Sequence, residues 1–245
     1  MVQTKVPPPF SFYGGKHRIS GKYPEPTTDV IIEPFAGSAG YSCRHGHGRQ
    51  VILFDADPVL CETWQWLIDA NFDDVMDLPL LDDSETVDVI ESPGARNVVG
   101  FWVNKGCSKP AKRKSSWGKS VGDVSYFWGA KCRRRLAENV HHFNTWEIHN
   151  IGFENIPSEF LQTKATWFVD PPYQGKQGTH YSCGSQGIDY NQLGKFCKSL
   201  ADQVIVCESS NATWLDFEPL CELSGAAKSG DGRKRSIECV WTKHV

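Results

Sequence analysis

Short apolar runs, each followed by a turn or a helical pattern, restrict the fold of this 245-residue chain more than any other feature. Asp29 to Glu33 reads as a brief buried strand, followed by the small-residue turn Ala36-Gly37-Ser38-Ala39-Gly40. Val51 to Asp55 is a second run of the same kind. After it, Asp57 is expected to cap a helix whose first residue is Pro58 and whose buried face carries Leu60, Trp64, Leu67 and Ile68. Strand, turn and helix then recur. Thr145 to Ile151, Ala165 to Val169 and Val204 to Cys207 read as further strands, the fourth apolar enough to be central in a sheet covered on both faces. Helices are expected from about Asp123 to His142 and after Asp189, the latter burying Leu193, Phe196, Cys197 and Leu200. Glu218 to Leu223 and Ser236 to Trp241 suggest a closing hairpin joined by a mobile linker, Gly225 to Gly232. This alternation predicts an α/β fold with a mainly parallel sheet and helices on both faces.

Within that frame, Asp170-Pro171-Pro172-Tyr173 directly follows the fourth run. The carboxyl ends of strands are where open α/β sheets bind ligands. Two successive prolines remove two backbone donors and keep the chain extended, which leaves the carbonyls of Asp170 and Pro171 free to accept hydrogen bonds. Tyr173 adds a stacking face. A carboxylate, a neighbouring carbonyl and an aromatic ring suit a planar ligand bearing an exocyclic amine, a nucleobase above all.

Two further segments bear on the same site. Glu33-Pro34-Phe35-Ala36-Gly37-Ser38-Ala39-Gly40 lacks bulky side chains in its turn, so a nucleoside or amino-acid ligand can approach the backbone. It is not a G-x-G-x-x-G turn, and a dinucleotide is not expected. Asp55, closing the second run, is suited to accept hydrogen bonds from ribose hydroxyls, with Asp57 as its competitor and a turn-capping role as the structural alternative. Phe12-Tyr13-Gly14-Gly15-Lys16 offers two glycines and a cation.

The formal net charge is −3, but the charges are segregated. Every ionised side chain from Asp69 to Glu91 is acidic, whereas Arg96 to Arg135 is basic apart from Asp123, with aromatics interleaved at Phe101, Trp102, Trp117, Tyr126, Phe127 and Trp128. Such a segment suits a polyanion. Lys112, Arg113, Lys114, Lys119, Arg133, Arg134 and Arg135 are the candidate nucleic-acid contacts. The nine cysteines form no C-x-x-C pair, which points to reduced thiols in the cytosol. Cys43, His45 and His47 lie close together without a second ligand cluster, so no metal is expected. No apolar run approaches the ~20 residues that cross a bilayer, and a soluble cytoplasmic chain is expected.

In the order F-Y-G-G-K, E-P-F-A-G-S-A-G, F-D-A-D, a basic insertion and D-P-P-Y, the chain resembles the Dam-type amino-methyltransferases, which methylate adenine N6 in DNA with S-adenosylmethionine. The resemblance spans nearly the whole sequence, including Val206-Cys207-Glu208 with Trp214-Leu215 and the Arg233 to Trp241 stretch. It departs at Ala39, where family members commonly have glycine. The resemblance implies a Rossmann-like methyltransferase sheet formed by residues 1–75 and 144–245, with a small, mostly helical target-recognition subdomain at 76–143. It implies that Tyr13, Gly15 and Lys16 hold the cofactor's methionine end or order the site, that Glu33, Phe35, Ala36 and Gly37 line the cofactor, and that Asp55 binds its ribose. Asp170, Pro171, Pro172 and Tyr173 would form the target-base pocket, with Asp170 also next to the cofactor. The implied partner is double-stranded DNA and the product S-adenosylhomocysteine; the sequence does not give the oligomeric state, for which a monomer is the favoured expectation. Asp rather than Ser before Pro-Pro leans toward adenine; cytosine N4, RNA, and an inactive nucleic-acid-binding scaffold stand as alternatives.

Overall fold

The computed structural model describes residues 5–175, 178, 185–229 and 232–244. Strands β1 (Val30–Glu33), β2 (Gln50–Phe54), β3 (Glu147–His149), β4 (Thr166–Val169), β5 (Val204–Ser209), β6 (Glu218–Ser229) and β7 (Gly232–Lys243) form one sheet. Its order is β3-β2-β1-β4-β5-β7-β6. The first five strands are parallel, and β7 runs antiparallel to both β5 and β6. The protein is therefore an α/β fold with a mixed seven-stranded sheet, compatible with a Rossmann-like architecture. From β1 the chain moves outward through β2 and β3, then returns to lay β4 on the other side of β1. The carboxyl ends of β1 and β4 consequently flank the topological switch point, where open α/β sheets form their ligand crevice.

Among the described residues, eight α-helices accompany the sheet: α1 (Ser42–His45), α2 (Pro58–Asp69), α3 (Phe72–Met76), α4 (Pro93–Val103), α5 (Ser116–Ser120), α6 (Ala130–Asn139), α7 (Ser158–Leu161) and α8 (Tyr190–Ser199). Side chains alternate across a strand, and the cores divide accordingly. Ile31, Val51, Leu53, Phe168 and Ile205 belong to one buried cluster, while Ile32, Ile52, Phe54, Trp167, Val169 and Val206 belong to the other. With both faces covered, β4 and β5 are buried throughout, which is why they read as unbroken apolar runs. The expected caps are present: Asp57 Oδ1 accepts from the Val59 amide at 2.9 Å, with Pro58 opening α2, and Asp189 Oδ1 accepts from the Asn191 and Gln192 amides.

Three expectations need correction. Asp123 does not begin a helix; α6 starts at Ala130, and Asp123 Oδ1 reaches forward to accept from the Lys131 amide at 3.1 Å. The helix ends at Asn139 and tightens into a 3-10 turn, Val140–Phe143. Most of the Gly225 to Gly232 linker is strand, because Lys228 pairs with Arg233 and Ser229 with Gly232, satisfying backbone groups almost to the hairpin's tip. Finally, residues 76–143 are largely helical but share the core of the sheet. Helix α4 is apolar nearly all round, so it must be covered on several sides; Val98, Phe101 and Trp102, with Leu136 of α6, join Ile31 and Val51 in one cluster. The expected boundary at residue 75 falls inside α3. Among the described residues no helix is long and apolar enough to cross a membrane.

Candidate functional site

A cavity of about 620 Å³ opens at the carboxyl ends of β1, β2 and β4, and the F-Y-G-G-K, E-P-F-A-G-S-A-G, F-D-A-D and D-P-P-Y segments all contribute to its wall. Phe12 to Lys16 and the turn after β1 lie against one another. At Gly40 a Cβ would sit 2.6 Å from the His17 amide nitrogen and 3.0 Å from the Lys16 carbonyl carbon, so only glycine lets the two loops approach this closely. Gly37 has φ +45°, the left-handed region that glycine adopts without steric cost, and Ala39 shares that φ of 45°. These two loops position Lys16, which is buried at the start of the 3-10 turn Lys16–Arg18.

The Lys16 ammonium donates to both oxygens of Asp170, at 2.6 and 2.8 Å, and to the Gly14 carbonyl at 3.1 Å. It also stands 4.7 Å from the centre of the Tyr173 ring and 4.0 Å from Glu238 Oε1. Tyr173 donates its hydroxyl to Glu238, and so does Tyr23, at 2.7 Å. One lysine thus faces two carboxylates, the nearer of them 154 residues away in sequence. Burial pushes the Asp170 carboxyl up to about 6, the Lys16 charge pulls it down, and the Glu238 charge pushes it up again.

On the other side of the cavity, Asp55 Oδ2 accepts from the Gly37 amide at 3.1 Å and Oδ1 from the Asp57 amide at 2.9 Å. Asp55 therefore does cap the following turn, and it also ties that turn to the glycine loop. Each oxygen retains a lone pair. Burial raises its carboxyl to about 6 against the pull of the Asp57 and Gly37 N–H groups. Glu33, fully buried at the end of β1, accepts from the Ser42 amide at 2.8 Å, and burial lifts it to about 8 despite the Ser42 hydrogen bonds.

Neither the family models nor the curated proteins compared with this sequence give a match.

Of the predicted cofactor residues, Tyr13, Gly15, Lys16, Glu33, Phe35, Ala36, Gly37, Asp55 and Asp170 all line the cavity. Of the predicted base-pocket residues, Asp170 and Pro172 line it, whereas Pro171 and Tyr173 do not. Tyr173 packs against the larger core cluster, with Lys16 over its ring. The Pro172 carbonyl accepts from Tyr190 at 2.6 Å, while among the described residues nothing donates to the Pro171 carbonyl.

Several contributors were missed by sequence reasoning. Glu238, the acceptor that fixes Tyr173, lies in β7 and reaches the site only because β7 inserts beside β5; nothing in its local sequence marks it. Glu208, in the Val206-Cys207-Glu208 segment that the resemblance had included without a role, accepts from the Gln174 amide, the Ser209 amide and the Trp214 indole, which anchors the segment after D-P-P-Y. Gly152, Phe153 and Glu154 follow β3 and line the cavity, with the Phe153 ring 5.6 Å from that of Phe35. Their position after a strand's carboxyl end was the available signal.

The predicted nucleic-acid contacts fare differently. Lys112 pairs with Asp88 at 3.4 Å, Lys114 with Asp83 at 3.6 Å, and Lys119 donates to the Asp83 carbonyl at 2.7 Å. The acidic and basic stretches, separate in sequence, are folded against each other. Arg133, Arg134 and Arg135 do not form one patch, because successive helical residues project about 100° apart. Arg133 donates inward to the Leu78 carbonyl at 2.6 Å, Arg134 pairs with Glu138 at 2.8 Å, and Arg135 lies 4.9 Å over the Trp102 ring. Arg113 is exposed.

Proposed function

We propose that this protein is a DNA amino-methyltransferase acting on adenine N6, with S-adenosylmethionine as methyl donor. The observation that carries the reading is the convergence of the Asp170 carboxylate and the glycine turn after β1 on one cavity at the sheet's switch point. The antiparallel hairpin after β5 and the largely helical segment between β2 and β3 agree with the resemblance of the sequence to the Dam-type enzymes.

The residues fit such a cofactor. Glu33 is a buried carboxyl lifted to about 8, and an adjacent cation, an ammonium or a sulfonium, draws it back to the ionised form. The Asp55 oxygens each keep an acceptor site for a ribose hydroxyl. Phe35 and Phe153 offer an apolar wall to a purine. When bound, S-adenosylmethionine supplies an electrophilic methyl group.

Adenine N6 is a weak nucleophile because its lone pair is delocalised into the ring. Acceptors on both N–H bonds favour a pyramidal nitrogen with a localised lone pair. Asp170 and the unengaged Pro171 carbonyl are those acceptors in this reading. Lys16 keeps Asp170 ionised near neutral pH, and Tyr173, held by Glu238, steadies the segment that carries Asp170. Because N6 is paired within a duplex, the adenine must be extruded, at a cost of a few kcal/mol.

Incubation with plasmid DNA and S-adenosylmethionine, followed by mass analysis of the nucleosides, tests the proposal. N6-methyladenine is expected from the wild type and none from Asp170→Ala. Methylation at cytosine N4 would replace the base, and absence of both transfer and calorimetric cofactor binding would overturn the reading.

A further inference from the structure

Basic side chains from separate segments of the chain, Lys5, His17, Arg18, Arg44, Lys105 and Arg135, come together in the fold. They surround the 3-10 turn that begins with Lys16. Lys5 donates to the His17 carbonyl at 3.2 Å. The Val6 amide bonds the Cys43 carbonyl at 2.9 Å, bringing Lys5 beside Arg44, whose guanidinium lies within 3 Å of where a Cβ on Gly21 would stand. Arg135 projects from α6 onto Trp102, which is itself fastened to the N-terminal segment by its indole N–H on the Pro9 carbonyl at 2.8 Å. Lys105 follows α4 and lies 4.7 Å over Tyr126, an exposed ring. Its own loop is stitched to the cavity's rim: the Tyr13 amide donates to Cys107, and the Gly106 amide to Ser11 Oγ at 3.0 Å.

Among the described residues, none of Lys5, His17, Arg18, Arg44, Lys105 and Arg135 lies within 4.0 Å of a carboxylate oxygen, although Lys112, Lys114 and Arg134 each do. Three buried ring or guanidinium nitrogens of this group, His17 Nδ1, Arg44 Nε and Arg135 Nε, have no hydrogen-bond partner. Buried polar groups are nearly always satisfied, so these nitrogens leave the neighbourhood with donor capacity that no described side chain or backbone group uses. Electrostatic coupling confirms that the group is one cluster. His17 is pushed down to about 4 by burial and then by the charges of Lys5, Arg135 and Arg44, and Lys105 is lowered by burial and then by Arg18.

We propose that this cluster, rather than the basic stretch of residues 112–119, seats the phosphate backbone of a DNA duplex. The inference rests on the methyltransferase reading for the choice of DNA. Its argument is charge complementarity: Lys112 and Lys114 already face carboxylates and have few counterions to release, whereas a cation with no carboxylate beside it releases them on meeting a phosphate. The cluster also adjoins Lys16 and the cavity's rim, so a strand held there presents its bases to Asp170.

The test is fluorescence anisotropy with a labelled duplex of mixed sequence, across a salt series and without cofactor. The variants are Arg18→Gln/Arg44→Gln/Lys105→Gln and, as comparison, Lys112→Gln/Lys114→Gln/Lys119→Gln; Lys5→Gln/Arg18→Gln alters only exposed cations and guards against misfolding of the first. We expect the cluster triple to weaken binding about tenfold or more and to lower the salt slope by roughly one per lost phosphate contact. The comparison triple should change affinity less than twofold. The reverse ranking would overturn the inference while leaving the methyltransferase reading intact. Tighter binding of single-stranded RNA than of duplex would overturn the choice of DNA. Calorimetric binding of S-adenosylmethionine, measured in parallel, reports on the cofactor reading alone.

Discussion

The Lys16 ammonium bridges both carboxylate oxygens of Asp170, at 2.6 and 2.8 Å, and so joins the N-terminal loop to the end of β4 at the base of the cavity. Asp170→Asn retains shape and one acceptor oxygen but loses the charge. Methyl transfer should fall by about 10²–10³-fold, measured by single-turnover kinetics, while calorimetric cofactor affinity changes little. Wild-type turnover in this variant would exclude Asp170 from the chemistry.

The pH dependence follows from the same pair. Asp170 acts as an acceptor only when ionised, and its carboxyl titrates at about 6, so kcat should decline as pH falls through 6. Lys16 lowers that value. In Lys16→Met the carboxyl loses its cation while Glu238 remains, and the acid limb must move to higher pH. An unmoved limb would mean that another group controls the profile.

Glu33 makes a prediction about stability whose sign is opposite to that of carboxylates held ionised by a cation at the surface. Its value is raised from 4.5 to about 8, so the folded protein binds a proton that the unfolded chain has released. Stability is lost as pH climbs from 4.5 toward 8 and is level above that. Glu33→Gln keeps the acceptor for the Ser42 amide and removes the buried charge. At pH 9 it should stabilise by about 2 kcal/mol or more, roughly 4–8 °C in Tm for a chain of this size, with no gain below pH 5. The same substitution should weaken S-adenosylmethionine by about tenfold.

Gly37 and Ala39 share a φ of +45°, yet only one is glycine. Ala39→Gly relieves a left-handed alanine, which costs about 1–2 kcal/mol, and adds unfolded-state entropy worth about 0.5–1 kcal/mol. The net effect in urea denaturation should be stabilising by less than about 1 kcal/mol. Gly37→Ala incurs the strain and meets the Phe12 ring at 3.3 Å, so it should destabilise and reduce cofactor affinity together.

Tyr173→Phe removes one of two hydroxyl donors to buried Glu238 while Tyr23 remains. A loss of about 1–3 kcal/mol is expected, and KM for DNA should rise more than kcat falls if the hydroxyl holds the ring in place.

Much of this protein was legible from local pattern. The central strands were readable because both faces of the sheet are covered there, which forces unbroken apolar runs such as Thr166–Val169, whereas β3, Glu147–His149, lies at the edge and is only partly buried. The cap at Asp57 with Pro58 was readable because it depends on chemistry within three residues. Motifs at strand ends were readable as site residues, since the carboxyl ends of parallel strands meet at one edge. The charge runs were misleading for the same local reason. Their alternation of sign along the chain contained no information on Lys114 meeting Asp83 or on α6 turning its three arginines in three directions.

Sequence alone thus determined the strands, their caps and which segments carry chemical groups, because those depend on neighbours a few residues away. Only the tertiary structure decided that β7 slips between β5 and β6 to bring Glu238 under Tyr173, that Lys16 meets Asp170, and that Lys5, Arg44 and Arg135 gather around His17. Each of those outcomes requires segments tens to hundreds of residues apart to be packed together. Long-range packing of that kind is set by the cooperative burial of the whole core, and no window of sequence contains it.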